Sequence, residues 1–264
     1  MARNIEQKVT RILSVISEHG YVTQTLIGKI VRNLRTGYRY VNLLKEFDYV
    51  EAFPSYSSGS EVFCLTKKGW LHLATNGAIR VLKNFTKSDY TVAQFFHTVA
   101  GVEVRLIFEQ HPFVVDYRPS RVLKYFAVLN QPSSGPSSGA IRGKQCDAEM
   151  ILQTPKNRYA VGIEIELTQK KTETIAKMFT NLSAYRQDLS SVLWLCGSEA
   201  IIKSMQETYK RNIKNLTSKP EQYFILLDDF KAKEFEAEWV DVDGNKLTIL
   251  PPLEQVPQTQ VQQQ

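Results

Sequence analysis

The sequence has few cysteines, and no two of them are close. Its 264 residues include 3 cysteines, Cys64, Cys146 and Cys196, with no CxxC pair among them. So small, odd and widely spaced a set excludes a disulfide scaffold and disfavours a zinc ribbon or a redox dithiol. The simplest interpretation is three buried thiols in a reducing compartment.

Long apolar runs are also missing. The first ten residues, MARNIEQKVT, are polar and charged, so they contain no apolar core of a signal peptide. No stretch approaches the roughly 20 apolar residues that a membrane-spanning helix needs. These absences predict a soluble, cytoplasmic protein without a membrane span.

Charge of one sign is only slightly in excess. There are 33 Lys and Arg against 27 Asp and Glu, which gives a formal net charge of +6. Such an excess fits nucleic acid as a partner but is weak support by itself. The hydrophobic fraction of 43% is enough to build a packed core and excludes wholesale disorder.

Polar segments divide the chain. PSYSSGS at 54–60 lies between two apolar runs and predicts a hairpin loop, and QPSSGPSSG at 131–139 predicts a mobile loop. The Pro/Gln-rich segment 251–264 predicts a disordered tail. Because the length fits one large or two small domains, we expect a first domain over 1–85 and a second over 90–250.

The first domain has the element order of a winged helix-turn-helix. Apolar residues at helical spacing predict a helix over 4–19, and Thr23 and Thr36 are placed to cap two further helices. Two short alternating runs and a helical segment are then expected at 49–53, 61–65 and 65–74. In winged helices the third helix enters the major groove of DNA.

Basic and aromatic residues cluster around this third helix. The candidate DNA-binding residues are Arg32, Arg35, Tyr38, Arg39 and Tyr40. Arginine binds phosphates or guanine edges, and tyrosine hydrogen-bonds or stacks. Two alternatives stay open, namely a solvated helix face beside a small core and a winged helix that binds another protein.

The most informative segment is KQCDAEMILQTPKNRYAVGIEIELTQKK at 144–171. Two strand-like runs flank TPKNR, which predicts a hairpin turn. Folding the chain about residue 156 brings Asp147 roughly opposite Glu164 and Ile165.

The second half of the chain continues with predicted helices and strands, which suits a mixed sheet with helices on its faces. The helices are expected at 172–189 and 200–212, the strands at 190–199 and 221–230, with a closing hairpin that turns at Asp243–Gly244.

Carboxylates on this hairpin predict a metal site. Strand side chains alternate, so Glu164 and Glu166 point to one face, where unpaired carboxylates repel each other and are costly to bury. A divalent cation removes that repulsion, and Mg²⁺ prefers oxygen ligands. Asp147, Glu164 and Glu166 are therefore candidate ligands of Mg²⁺ or Mn²⁺, and Lys170 is a candidate for stabilising charge on a phosphorus centre. The alternative is a strand whose carboxylates face solvent.

The order Asp, ExE and Lys on consecutive strands, followed by a helix, resembles the PD-(D/E)xK restriction-endonuclease-like fold. Together with the N-terminal winged helix, it is similar to the replication-relaxation family and to the MOBC-type relaxases of mobilisable plasmids. The resemblance implies an α+β or α/β protein with a winged helix-turn-helix followed by a mixed sheet flanked by helices. It also implies metal-dependent nicking of one strand at a plasmid transfer origin, with accessory mobilisation and coupling proteins as partners.

The sequence departs from the family pattern at the lysine. Restriction enzymes usually have the lysine two residues after the glutamate, and here Glu166 occupies that place, so another residue must take the role of the lysine. The candidates are Lys170, Gln169, Lys171 and Lys177. The family's histidine-containing segment has a counterpart at 95–108, where His97 is a candidate organiser of the site.

Two further hypotheses concern the chemistry. The chain could be a non-catalytic DNA-binding regulator of plasmid replication or transfer, with the nuclease-like fold as a scaffold. Tyr38 or Tyr40 could act as a covalent nucleophile, although packing or a contact to the DNA backbone is favoured, because a metal-activated water needs no tyrosine.

Overall fold

The chain divides into two units of mixed α and β structure. Unit 1 comprises Met1–Leu106 with Arg121–Asn130, and unit 2 comprises Ile107–Ser120 with Gln131–Gln264. The structure is a computed structural model that describes residues 2–57, 61–81, 83–85, 90–129, 145–212 and 220–255. In that part of the chain, no helix combines the length and apolar character needed to cross a membrane.

Unit 1 packs helices against a small antiparallel sheet. The helices are α1 (Ala2–His19), α2 (Gln24–Ile30), α3 (Leu34–Glu46) and α4 (Lys67–Thr75), followed by α5 (Val92–Phe108) and α6 (Ser120–Leu129), which both cross the division between the units. The strands β1 (Val22–Thr23), β2 (Val50–Pro54) and β3 (Glu61–Leu65) lie in the order β1-β3-β2. Apolar residues of α1, α2 and α3 form the core with β3.

The helix ends of unit 1 follow their capping residues. Thr23 caps α2 as expected, and its Oγ1 accepts a hydrogen bond from the backbone N–H of Leu26 at 3.3 Å. The expectation that Thr36 caps α3 was wrong. The cap is Asn33, whose Oδ1 accepts from the N–H of Thr36 at 2.9 Å, so Thr36 lies inside the first turn.

Unit 2 is built on a mixed sheet. Its described strands are β4 (Val114–Pro119), β5 (Ala148–Gln153), β6 (Arg158–Glu166), β7 (Ser191–Cys196), β8 (Glu221–Leu226), β9 (Trp239–Asp241) and β10 (Lys246–Leu247). Their order is β10-β9-β8-β7-β6-β5-β4, with β4, β5 and β6 antiparallel and β6, β7 and β8 parallel. The helices are α7 (Thr172–Tyr185), α8 (Glu199–Asn212) and α9 (Leu227–Lys233).

Helices α7 and α8 cover one face of this sheet. Phe179 and Met205 from the helices pack with Trp194 and Phe224 from β7 and β8 in one buried cluster. The Trp194 indole N–H donates to Gln222 Oε1 at 2.7 Å, so burial leaves this polar group satisfied. Each such side chain stabilises the fold by roughly 1.5–3 kcal/mol.

One predicted strand was too long. The run at 221–230 was expected to be a single strand, but β8 ends at Leu226 and α9 begins at Leu227. Asp228 and Asp229 lie in the first turn of α9, where the helix dipole favours negative charge.

Several predicted segments lie outside the described residues. These are the loop at 131–139, residues 58–60 of the hairpin loop, and residues 256–264 of the tail.

Candidate carboxylate site and candidate nucleic-acid interface

The register of β5 and β6 brings Asp147 next to Glu164. Ala148 lies opposite Ile163, so Asp147, one residue earlier, comes beside Glu164. Asp147 Oδ2 accepts a hydrogen bond from the backbone N–H of Ile165 at 2.9 Å, and its carbonyl accepts one from the N–H of Ser120 at 2.8 Å. Asp147 is therefore hydrogen-bonded to the backbone of β6 and to the residue that follows β4.

Glu164 and Glu166 point towards the face that α7 and α8 cover. Their partners in register on β7 are Trp194 and Cys196, which both belong to the buried cluster under these helices. Glu164 is 3% exposed and Glu166 is 5% exposed. This burial is incompatible with the alternative in which the carboxylates face solvent.

Lys170 reaches back to the strand. Its Nζ donates to Glu166 Oε2, although Lys170 lies four residues beyond that glutamate. The three other candidates for the lysine role, Gln169, Lys171 and Lys177, are exposed. Of the four, Lys170 is thus the one whose side chain bonds to a carboxylate of this face in the structure as described.

Cys196 lies close to this lysine. Burial raises the pKa of its thiol to about 12, against the opposing attraction of the Lys170 charge. The thiol therefore stays protonated at neutral pH and is no candidate nucleophile.

A fourth carboxylate on this face was missed from the sequence. Glu149 is buried on β5, two residues after Asp147 and opposite Gly162. Arg186, which follows α7, donates to Glu149 and also to both carboxylate oxygens of Asp188, at 2.9 and 2.8 Å. The spacing of two between Asp147 and Glu149 was a signal that the two share a face.

The charges of this network reinforce one another. Burial acts to lower the pKa of Arg186, but the bonds to Asp188 and Glu149 outweigh it and raise that pKa above its ordinary value. In turn the hydrogen bonds from Arg186 lower the pKa of Asp188. Arg186 is thus a fixed cation at the Glu149 end of the carboxylate face.

Gly162 makes room for the chain segment that leads into β5. A Cβ at this position would lie 2.8 Å from Cys146 Sγ, closer than real Cβ atoms come, and 3.0 Å from Leu189 Cδ1. The missing side chain lets Cys146 pack over β6, directly before Asp147. The position of Asp147 therefore depends on a glycine that the motif does not include.

The oxygen donors suit a small metal site of two carboxylates. Within the described ranges, no group of three or more His, Cys, Asp or Glu side chains is arranged to hold a metal ion. Asp147 and Glu164 are adjacent carboxylates across the β5–β6 hairpin, and Glu166 is paired with Lys170. Mg²⁺ is commonly bound by one or two carboxylates and keeps several waters, so this donor set fits it.

Helix α3 presents a basic and aromatic face. Arg35, Tyr38, Arg39 and Asn42 are exposed and recur at the spacing of one helix face, with Tyr38 57% exposed. The expectation that Tyr40 contacts DNA was wrong. Tyr40 is 8% exposed and belongs to the core of unit 1, because it lies on the opposite side of the helix.

The orientation of α3 is set by a close crossing with α2. A Cβ on Gly37 would lie 2.6 Å from the Cα of Gly28, so the two helices touch through their backbones. The turn between them places Arg32 at φ 59°, and its side chain is exposed.

His97 lies on α5 in unit 1 and is part-buried. Burial, then Arg105 and Arg121, and to a smaller degree His97, lower the pKa of His19 well below its ordinary value. His97 is therefore close to a cluster of cationic groups in unit 1. Its expected role as an organiser of the carboxylate site stays a prediction.

The described residues thus contain two groups that suggest function. Unit 2 has buried carboxylates with two cations on one sheet face, and unit 1 has an exposed basic and aromatic helix face. Comparisons of this chain with family models, with curated proteins and with solved structures find no match.

Proposed function

We propose that this chain is a metal-dependent DNA nickase of the relaxase type that cleaves one strand at a plasmid transfer origin during mobilisation. The observation that carries the proposal is Asp147 at the start of β5 beside the buried Glu164 of β6, with Lys170 folded back onto Glu166. A mixed sheet with helices on it supports a restriction-endonuclease-like assignment for unit 2.

Unit 1 is proposed to be the DNA-binding winged helix-turn-helix. Its order of three helices, a hairpin and a further helix supports this assignment. In this role α3 enters the major groove, and Arg35, Tyr38 and Arg39 contact phosphates and base edges. Arg32, in the turn before α3, contacts the backbone.

In the proposed site Asp147 and Glu164 hold Mg²⁺ or Mn²⁺. The bound cation supplies a water of lowered pKa and screens the charge of the phosphate. The bond from the Ile165 N–H orients Asp147. The ammonium group of Lys170 stabilises the negative charge that grows on the phosphorus centre during attack.

Nicking is tested with supercoiled plasmid that carries the transfer region. We expect conversion to open circles with Mg²⁺ or Mn²⁺, and none with EDTA. Asp147→Asn and Glu164→Gln should each reduce the rate by roughly 100-fold or more, whereas Glu173→Gln, at an exposed position of α7, should not. Normal cleavage by Asp147→Asn would show that the site is assigned to the wrong residues.

DNA binding is tested separately by gel shift. Tyr38→Ala and Arg39→Ala should weaken binding, and loss of the Arg39 charge from a phosphate should reduce the slope of log K against log salt by about 0.9. Lys124→Ala, at an exposed position of α6, is the matched control and should bind as the unchanged protein does. Equal binding by all three variants would remove α3 from the interface.

The products separate related activities. Denaturing gels after protease treatment show whether protein stays attached to the cut strand, and a linear product would indicate a double-strand endonuclease instead.

The second candidate function is a non-catalytic DNA-binding regulator. The observation in its favour is that Glu149 and Glu166 are each paired with a cation, Arg186 and Lys170, as in a structural ion-pair network. Calorimetric titration with Mn²⁺ distinguishes the candidates, because a catalytic site binds the metal and loses it in Asp147→Asn. Tight DNA binding without Mn²⁺ binding would favour the regulator.

A further inference from the structure

Unit 2 has a cleft at the end of its sheet opposite the carboxylate site, where β8 begins. The cleft has a volume of 320 Å³, which is at the lower end of the range typical of ligand sites. The polar and aromatic side chains that bring chemistry to its lining are Tyr209, Lys210, Glu221, Tyr223, Asp241 and Asp243.

The lining comes from both faces of the sheet end. Tyr209 lies in the last turn of α8 and belongs to the buried cluster that also contains Phe224. Tyr223 alternates with Phe224 along β8, so Glu221 and Tyr223 share the other face. Asp241 of β9 lies opposite Tyr223 in register. The cleft is thus bounded by α8, β8 and β9 and opens at the end of the strands.

The charge of the lining is negative. It contains three carboxylates against one lysine, in a chain whose formal net charge is +6. Burial alone would raise the pKa of Asp241, but the hydrogen bonds from Asn245 and from nearby backbone N–H groups outweigh it and lower that pKa. Asp241 is therefore ionised at neutral pH, and the local charge favours a cation over an anion.

Two phenol rings lie beside these carboxylates. The hydroxyl of Tyr223 donates to Glu221 Oε2 at 2.6 Å, and burial together with this bond raises the pKa of Tyr223. Burial raises the pKa of Tyr209 to about 12. Both rings therefore stay neutral, and the face of a neutral aromatic ring attracts an organic cation.

The chain already places one ammonium group at this cleft. Lys210 Nζ lies 3.4 Å from Asp243 Oδ1, with side chains that are 45% and 66% exposed. A pair as exposed as this contributes little to stability. A cation from outside can therefore replace the lysine beside Asp243 at small cost.

We propose that this cleft binds an organic cation, namely an alkylammonium or guanidinium group. Glu221 and Asp243 neutralise its charge, and the rings of Tyr209 and Tyr223 lie along its apolar part. Such a group occurs in a free polyamine and in a lysine or arginine side chain of a protein partner. The proposal is independent of the proposed function, since none of these residues belongs to the carboxylate site.

Titrations followed by ¹⁵N NMR test the proposal on the whole protein. L-argininamide at millimolar concentrations should shift the backbone amide signals of Gln222 and Asp243. L-citrulline amide, which has nearly the same shape without the guanidinium charge, should bind at least about 10-fold more weakly. Equal binding of the two compounds, or displacement of argininamide by Mg²⁺ at equal ionic strength, would overturn the proposal.

Variants assign the binding to this cleft. Glu221→Gln and Asp243→Asn should each weaken the binding of argininamide by about 5-fold or more. Lys210→Met should instead tighten it by about 3-fold, because it removes the competing ammonium group. Glu207→Gln, at an exposed position of the same helix outside the lining, is the matched control and should bind as the unchanged protein does.

Spermidine in the same titration distinguishes the two sources of the cation. Tighter binding of spermidine than of argininamide points to a free polyamine, and the reverse points to a basic side chain of a partner. If neither compound shifts the signals, even in Lys210→Met, the cleft is not a cation site and the proposal fails.

Discussion

Arg186 and Glu149 form an ion pair that solvent barely reaches. Their side chains are 13% and 11% exposed, and Arg186 also holds Asp188. Two charges in such a place depend on each other, because removing one leaves the other buried without its partner. The positive charge of Arg186 also offsets the negative charge of Glu149, which lies on the same face as Asp147 and Glu164.

Arg186→Met is therefore expected to lower the free energy of unfolding by about 3–5 kcal/mol, measured by urea denaturation. The matched control is Lys210→Met, which breaks the pair with Asp243 at 3.4 Å between side chains that are 45% and 66% exposed. That change should cost less than about 1 kcal/mol. Similar small losses in both variants would mean that Glu149 finds other compensation.

Part of the carboxylate site could be predicted from residues alone. Strand alternation and the hairpin turn brought Asp147 beside Glu164, because both depend only on local geometry. Lys170 was named from the sequence, but Gln169, Lys171 and Lys177 stayed open as alternatives, since the choice depends on how an irregular segment folds back onto the strand. Arg186 was missed because its contact with Glu149 spans 37 residues and leaves no local pattern.

The turn between α2 and α3 contains a backbone conformation that favours glycine. Arg32 has φ 59°, in the left-handed region, and the residue after it caps α3. The left-handed conformation costs a non-glycine residue about 1–2 kcal/mol. The turn leads directly into the crossing at which the backbones of Gly28 and Gly37 touch, so α3 starts in close contact with α2.

Arg32→Gly is expected to raise the free energy of unfolding by about 0.5–1 kcal/mol, because relief of the strain exceeds the larger entropy of an unfolded glycine. Arg35→Gly, inside α3, should instead lower it by about 1 kcal/mol. Both variants remove an arginine from the proposed DNA surface and should weaken binding in a gel shift. Chemical denaturation of the two proteins checks the sign, and a loss of stability in both would show that Arg32 is unstrained.

At the scale of elements, the long periodic helices and the strong hairpins were predictable. Asn33 was overlooked as a cap, because its role follows from the turn at Arg32, which the sequence does not mark. Strand β4 and helix α6 had no prediction. The run at 114–119 becomes a strand through its pairing with β5, which is a tertiary contact.

Each of the two units contains a histidine whose pKa is lowered mainly by burial. His111 Nε2 bonds to the carbonyl of Pro251 at 3.0 Å, and its Nδ1 accepts from the N–H of Phe113 at 3.2 Å. Burial lowers the pKa of His111, against the opposing effect of the Pro251 carbonyl. Burial is also the main cause of the low pKa of His19.

These shifts predict a loss of stability in mild acid. The unfolded chain takes up protons as the pH falls through the ordinary histidine pKa of 6.5, whereas the folded histidines take them up only at lower pH. Stability from this source is complete above that pH and decreases as the pH falls towards the folded values. Thermal melting between pH 8 and pH 5 should show a decreasing Tm, with a shallower slope in His111→Gln and the shallowest in the double variant with His19→Gln. Parallel curves for all three proteins would contradict the assignment.

The order of predicted strands and helices indicated the mixed α and β architecture with helices on the sheet, because it depends on patterns repeated along the chain. The extent of the first unit was harder to read. It continues to Leu106, past the expected boundary near residue 85, since Phe95 and Val102 of α5 pack into its buried clusters. An apolar helix face does not reveal from sequence which core it joins.

Strand β6 joins the two kinds of pairing in the sheet, antiparallel to β5 and parallel to β7. The hairpin with β5 closes over a short stretch of chain, whereas the pairing with β7 must wait for the crossover helix α7. We therefore expect Asp147 and Glu164 to come together during folding while water still surrounds them, before α7 covers Glu164. In that order of events, the two carboxylates approach each other while water still screens their repulsion, which is weaker there than in a buried site.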